Sequence, residues 1–176
     1  LVGEISLKRK GVISAEISSK INNKNNFSLS IKTNSGDEKI TNLFIEEPEP
    51  FVKNYNFIKG FTEGKLSYGS IEKNNETKAN LKIYDFKVQD VPVLAKLLTL
   101  ASLQGIADLL TGEGIRFNEF EMDYVSKQSL TKINEIYAIG PAISILMEGY
   151  IEKNKITSLK GTLVPATTIN KTISKI

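Results

Sequence analysis

The chain has 176 residues, 40% apolar and 24% charged, with a net charge of +3, which leaves room for a core and is an ordinary globular balance. It contains no histidine and no cysteine, which excludes a His-based triad and a thiol nucleophile and removes the preferred ligands of a structural zinc site. The positive charge is scattered lysine plus Arg9 and Arg116, with no basic patch interleaved with aromatics, so no nucleic-acid partner is expected.

The first 45 residues alternate. "GEISLKRKGVISAEISSKI" places Ile5 and Leu7, then Ile13, Ala15 and Ile17, at period two, with a turn around Gly11. "NNFSLSIKT" repeats the pattern with Phe27, Leu29 and Ile31, and the Asn-rich Asn22–Asn26 and "NSGD" at Asn34–Asp37 supply turn chemistry. Three or four antiparallel strands are predicted here. "EEPEP" then breaks the rhythm. Acids and prolines suit a helix start, and Phe51, Val52, Tyr55 and Ile58 form a short apolar stripe ended by Gly60. The spacing predicts a short helix from about Pro50 to Phe57.

"GKLSYGSIEKNNETKANLKIYDFKVQD" reads as a hairpin turning at Asn74–Asn75. Ala79, Leu81 and Ile83 share one face; Tyr84, Phe86 and Val88 share the other. Both faces are apolar near Tyr84, which predicts a strand covered on both sides there. The stretch "VPVLAKLLTLASLQGIADLLTGEGIRF" follows, uncharged from Leu97 to Ala107. Asp90 is read as its N-cap and Pro92 as an early helical residue. Gly105 is expected to interrupt the helix, and Gly112 and Gly114 to stop it. The remaining sequence returns to four strands joined at "KQ", "GP" and "NK". No uncharged apolar run reaches the ~18 residues a membrane-spanning helix needs.

The acids Asp85, Asp90, Asp108, Glu113, Glu119, Glu121 and Asp123 cluster in sequence around the apolar stretch. Paired carboxylates would suit glycoside hydrolysis only at a fixed separation in a cleft, and they are read as caps and solvated strand faces. "GEG" at Gly112–Gly114 lacks the Lys and following helix of a phosphate loop. No catalytic residue, metal site or cofactor is expected. For the apolar helix two readings stand. It plugs the sheet and forms its core, or it lines a groove for acyl chains, where each buried CH₂ is worth about 0.8 kcal/mol.

Several segments carry a family likeness over residues 46–176. "FVKNYNFIKGFTEGKLSYGSI" is similar to a short helix, a "GGxL" turn and a strand, with Glu63 at the usual first Gly. "LKIYDFKVQDVPVLAKLLTLASLQGIADLLTGEGIRFNEFEMDY", "AIGPAISILMEGYIE" and "KGTLVPATTIN" follow in the same order, the last with Ala166 at a usual aromatic. Together they resemble the C-terminal region of AsmA-like bacterial envelope proteins of the YhdP type. The resemblance implies a mainly β fold with a few short helices (α+β). That fold is a long curved antiparallel sheet, a β-groove, with an apolar helical hairpin inserted between strands. It also implies a non-catalytic role: shielding phospholipid acyl chains, supporting lipid transport between inner and outer membrane, and preserving envelope integrity. The location implied is the periplasm of a Gram-negative bacterium, in a protein anchored in the inner membrane.

One β-rich domain over residues 1–176 is expected, made of a strand meander at 1–45 and the AsmA-like region at 46–176. The chain opens without Met inside a strand pattern and ends on "TTINKTISKI". Both ends are read as cuts, so a longer protein carrying the membrane anchor is expected. The residues expected to contact lipid are Leu94, Leu97, Leu98, Leu100, Leu103, Ile106 and Leu110. The alternative is a structural or assembly domain whose apolar helix is core, or a docking surface for an outer-membrane protein partner.

Overall fold

A computed structural model describes residues 2–8, 11–21, 25–52 and 60–166. Four strands come first: β1 (Val2–Lys8), β2 (Gly11–Ile21), β3 (Asn25–Thr33) and β4 (Lys39–Ile45). A short α1 (Glu49–Val52) precedes β5 (Thr62–Lys73) and β6 (Glu76–Val88). Two more helices follow, α2 (Pro92–Leu100) and α3 (Gln104–Thr111). The rest is β7 (Ile115–Lys127), β8 (Leu130–Ile139), β9 (Ile143–Glu152) and β10 (Ile156–Pro165). The protein is mainly β, an open, curved antiparallel sheet with three short helices. All ten strands belong to one sheet, in the order β1 to β10.

Tight turns set the register. Asn74 and Asn75, with φ of 51° and 60°, sit between β5 and β6. Two consecutive left-handed residues are the turn whose twist matches a two-residue hairpin, and Asn tolerates that region. Expected turns at Gly140–Pro141 and Asn154–Lys155 fall between β8 and β9 and between β9 and β10. The expected helix from Pro50 is described only as α1; residues 53–59, with Tyr55 and Ile58, lie outside the described residues.

Three expectations are corrected. Asp90 does not cap α2. The N-cap position is Val91 and has no side-chain cap, while Asp90 adopts φ 52° and its N–H donates to Leu110 O at 3.2 Å. That bond ties the start of the connection to the end of α3. The break between α2 and α3 is not at Gly105, which lies in the first turn of α3. It is centred on Ser102 at φ 59°, with Leu103 N–H returning to Leu98 O at 2.8 Å.

The third correction concerns Tyr84, which is 37% exposed, so this part of β6 is not covered on both sides. Asp85 stands at φ 52°, and on β5 Glu63 and Gly64 stand at 64° and 84°. A left-handed residue breaks the alternation of a strand. Past this crease Phe86 and Val88 therefore point to the same side as Ile83, and all three belong to one hydrophobic cluster. The apparently two-faced run is one face with a change of phase.

That cluster is the core. Phe61, Phe86 and Phe117 stack in series at 5.5 Å between successive ring centroids, and Phe120 meets Phe86 edge-on at 6.4 Å. These are favourable offset and edge geometries. Leu98 of α2 and Ala107 and Leu110 of α3 press on the stack, with Ile115, Ile143 and Ile145 completing it. The helices reach it through positions three and four apart, such as Leu94, Leu97 and Leu98, then Leu103, Ile106, Ala107 and Leu110.

Candidate functional site

Directly paired residues in an antiparallel sheet project from the same face, so the register resolves the sheet into rows. The central row runs Ile17, Leu29, Leu43, Tyr68, Leu81, Met122, Ile136 and Met147 from β2 to β9. Two residues along each strand, toward the helices, lies Phe27, Ile45, Leu66, Ile83, Phe120, Ala138, Ile145 and Leu163. On the other side of the central row are Ala15, Ile31, Thr41, Ser70, Ala79, Tyr124, Ile133 and Gly149. One face of the sheet is thus nearly continuous hydrocarbon across eight strands in each row, about 34 Å for seven inter-strand gaps of about 4.8 Å.

Among the described residues the helices cover one end of this face. Phe51 of α1 stacks on Phe27 at 5.6 Å, and α2 and α3 lie against the row that holds Ile83, Phe120 and Ile145. In the central row and its outer neighbour Ala15, Ala79, Ile133 and Met147 are buried, and the other apolar side chains are half-buried. Two rows at about 7 Å each along the strands give a footprint on the order of 500 Å², part of it closed by those four residues.

Polar groups on this face are few. The phenols of Tyr68 and Tyr124 come from strands on either side of β6, Tyr68 paired with Leu81 and Tyr124 with Ala79. Burial first, and then the neighbouring Tyr68, hold the Tyr124 phenol well above its ordinary value. One row beyond, the face turns polar: Thr33, Lys39, Glu72, Thr77, Ser126, Thr131 and Thr157 occupy one row with Ile151. Ser126 and Thr131 hydroxyls meet at 3.0 Å, and Lys39 pairs with Glu72.

The opposite face is charged. Lys82 Nζ lies 2.9 Å from Glu121, whose carboxylate also accepts from Asn80 Nδ2 at 2.8 Å. Both contacts hold Glu121 below the usual carboxylate range, Lys82 first. Arg116 donates to both oxygens of Glu63 at 2.8 and 2.9 Å, and Lys160 pairs with Glu148 at 2.9 Å. A shallow hollow of about 440 Å³ opens on this face beside Asn42, Gly69, Asn80 and Asn134. Asp123 is the one carboxylate lining it, and its oxygen accepts from Asn80 at 2.9 Å.

Of the acids singled out in the sequence, Glu121 and Asp123 are brought together, bridged by Asn80, while Asp108 accepts from Gln104 on its own helix at 2.8 Å. Among the described residues no three metal-ligating side chains converge, and no helix is long and apolar enough to cross a membrane.

The seven helix residues expected to contact lipid divide by position. Leu98 and Leu110 are fully enclosed, each 0% exposed. Leu94, Leu97, Leu103 and Ile106 are half-buried against the core, and Leu100 stands 73% exposed. The open rows lie elsewhere, on the strands, and the first 45 residues contribute three of the eight positions in each. Each strand's alternating set is visible in sequence, but only the register joins the sets into a surface. No protein-family model matches the chain, and no curated protein and no solved structure matches it.

Proposed function

We propose that the chain is a non-catalytic β-groove segment that shields the acyl chains of phospholipid, in a bacterial envelope protein of AsmA-like type. The apolar face running from β2 to β9 carries this reading. Such a face costs free energy when it meets water, and hydrocarbon tails relieve that cost at about 0.8 kcal/mol per CH₂. In this reading α2 and α3 act as an apolar hairpin closing one end of the groove, and Leu100 marks its outer rim. Passage of lipid is passive and needs no cofactor. In this reading the setting is a periplasmic region of an inner-membrane-anchored protein serving transport to the outer membrane and envelope integrity.

The test is lipid extraction and mass spectrometry on the fragment purified from a bacterial periplasm without detergent. Phospholipid is expected in stoichiometric amount. Leu43→Asp with Leu81→Asp, on the open rows, is expected to abolish it while far-UV circular dichroism stays native. Leu146→Asp, on the charged face, is expected to leave it unchanged. Lipid retained by the folded double variant would sink the proposal. A second reading, a structural or assembly domain, is favoured by the complete enclosure of Leu98 and Leu110, which makes the helical hydrocarbon core. It expects a well-folded wild-type fragment with no lipid.

A further inference from the structure

The face has a direction. On β6 the rows read Thr77, Ala79, Leu81 and Ile83; on β7 they read Ser126, Tyr124, Met122 and Phe120. Each strand therefore runs from a hydroxyl, through hydrocarbon, into the phenylalanine stack beneath α2 and α3. The span from first to last is six residues, about 20 Å, comparable to a long acyl chain laid along a strand. The polar end is also where the tight turns of the β3–β4, β5–β6, β7–β8 and β9–β10 hairpins lie. The two charges in the row of Thr77 on the same face, Lys39 and Glu72, are paired with each other and adjoin Thr77.

We infer that the face holds a zwitterionic glycerophospholipid in one orientation, its tails toward α2 and α3 and its head at the row of Thr77, Ser126 and Thr131. This rests on the lipid-shielding reading above and adds which end takes the head and what kind of head it takes. The tails match the helix end because, among the described residues, α2 and α3 close over the hydrocarbon there. The head matches the far end because hydroxyls offer donors and acceptors, and adjacent opposite charges offer a partner to each half of a zwitterion. The phenols of Tyr68 and Tyr124, with Thr41 and Ser70 in the row of Tyr124, sit at the border, where ester groups of a lipid in this pose lie.

Two photoactivatable phosphatidylcholines test this, one with the diazirine at the acyl terminus and one with it on the head. After irradiation with the full chain, labelled peptides are mapped by mass spectrometry. The tail probe is expected on peptides containing Ile83, Phe120 or residues 92–111, and the head probe on residues 72–77 and 126–131. Unlabelled phosphatidylglycerol in excess is expected to displace label no better than unlabelled phosphatidylcholine. Ser126→Ala with Thr131→Val is expected to cut head labelling severalfold and leave tail labelling in place. Both probes on the same peptides, or their positions exchanged, overturns the orientation while lipid binding stands. Preferential displacement by phosphatidylglycerol overturns the zwitterionic head. Absence of all labelling in the folded chain overturns the lipid reading and this inference with it.

Discussion

Leu98 and Leu100 lie two positions apart on α2, and their truncation is expected to have opposite consequences. Leu98 is 0% exposed and lodged between the sheet and α3, whereas Leu100 is 73% exposed. Leu98→Ala removes buried methyl groups and leaves a void that the stacked Phe86 and Phe117 cannot fill without disturbing their own contacts. The cost of such a change is about 3 kcal/mol, within the range known for enclosed leucines, against a total stability of roughly 5–15 kcal/mol. With a urea slope of about 2 kcal/mol/M, the unfolding midpoint falls by about 1.5 M. Leu100→Ala touches no enclosed contact, and its effect stays within about 0.5 kcal/mol, a midpoint shift of about 0.3 M or less. Urea titrations followed by far-UV circular dichroism read both. Equal shifts, or a Leu98→Ala shift as small as the other, would refute the claim that α2 is clamped to the sheet through this face.

Gly64→Ala is expected to cost roughly 1–3 kcal/mol, because Gly64 has φ +84° and a Cβ there would come within 2.8 Å of Phe86 Cβ. Gly69→Ala in the same strand, with its nearest neighbour at 3.7 Å, is the control and is expected to unfold like wild type. If both variants melt alike, the crease is not what requires the glycine. The acid limb offers another check. Glu121 is held below the ordinary 4.5 by Lys82 and then Asn80, and Glu16, Glu38, Glu63 and Glu148 are lowered as well, each by its ion-pair partner first. A carboxylate whose folded pKa is depressed contributes stability above its unfolded pKa, and that contribution disappears as pH falls through the folded value. Thermal midpoints are thus expected to fall below about pH 4.5, with a small amplitude because the pairs are exposed and salt-screened. Glu121→Gln with Glu148→Gln should flatten that fall, and an unchanged acid limb would remove these pairs from the account.

The β-rich architecture was legible because alternation is a local signal. The sets Ala15–Ile17, Phe27–Leu29–Ile31 and Ala79–Leu81–Ile83 identified the buried phase of their strands, and Asn74–Asn75 marked a hairpin by its tolerance of left-handed backbone. The crease was not legible. Glu63 and Asp85 are not glycines, and nothing about an acid in a strand announces a positive φ, so Tyr84–Val88 read as a second covered face. The break at Ser102 was hidden likewise, since Gly105 offered a more obvious but unused stop. Attention to the candidate site went to the uncharged run Leu97–Ala107, because a long apolar segment stands out along a chain. The open rows on the strands draw one or two residues from each, such as Leu43, Leu81 and Met122, and they become a surface only through pairings across eight strands.

Spatial order in the sheet is the order of the chain, and this bears on how the protein is built. Each strand from β2 to β9 bonds to the strand synthesised just before it and the one just after, so none of them waits for a distant partner. Most closures are hairpin-short, which keeps their entropic cost low. The longest connection between paired strands, Gln89–Gly114, carries two helices of its own. Such a sheet can grow by accretion as the nascent chain emerges, each new edge templating the next strand. Coming apart, it behaves like a one-dimensional array that frays from its margins. Amide protons of β1 are expected to exchange earliest. Those of β6 and β7, under the ring stack, are expected to persist until the sheet has been peeled back to them.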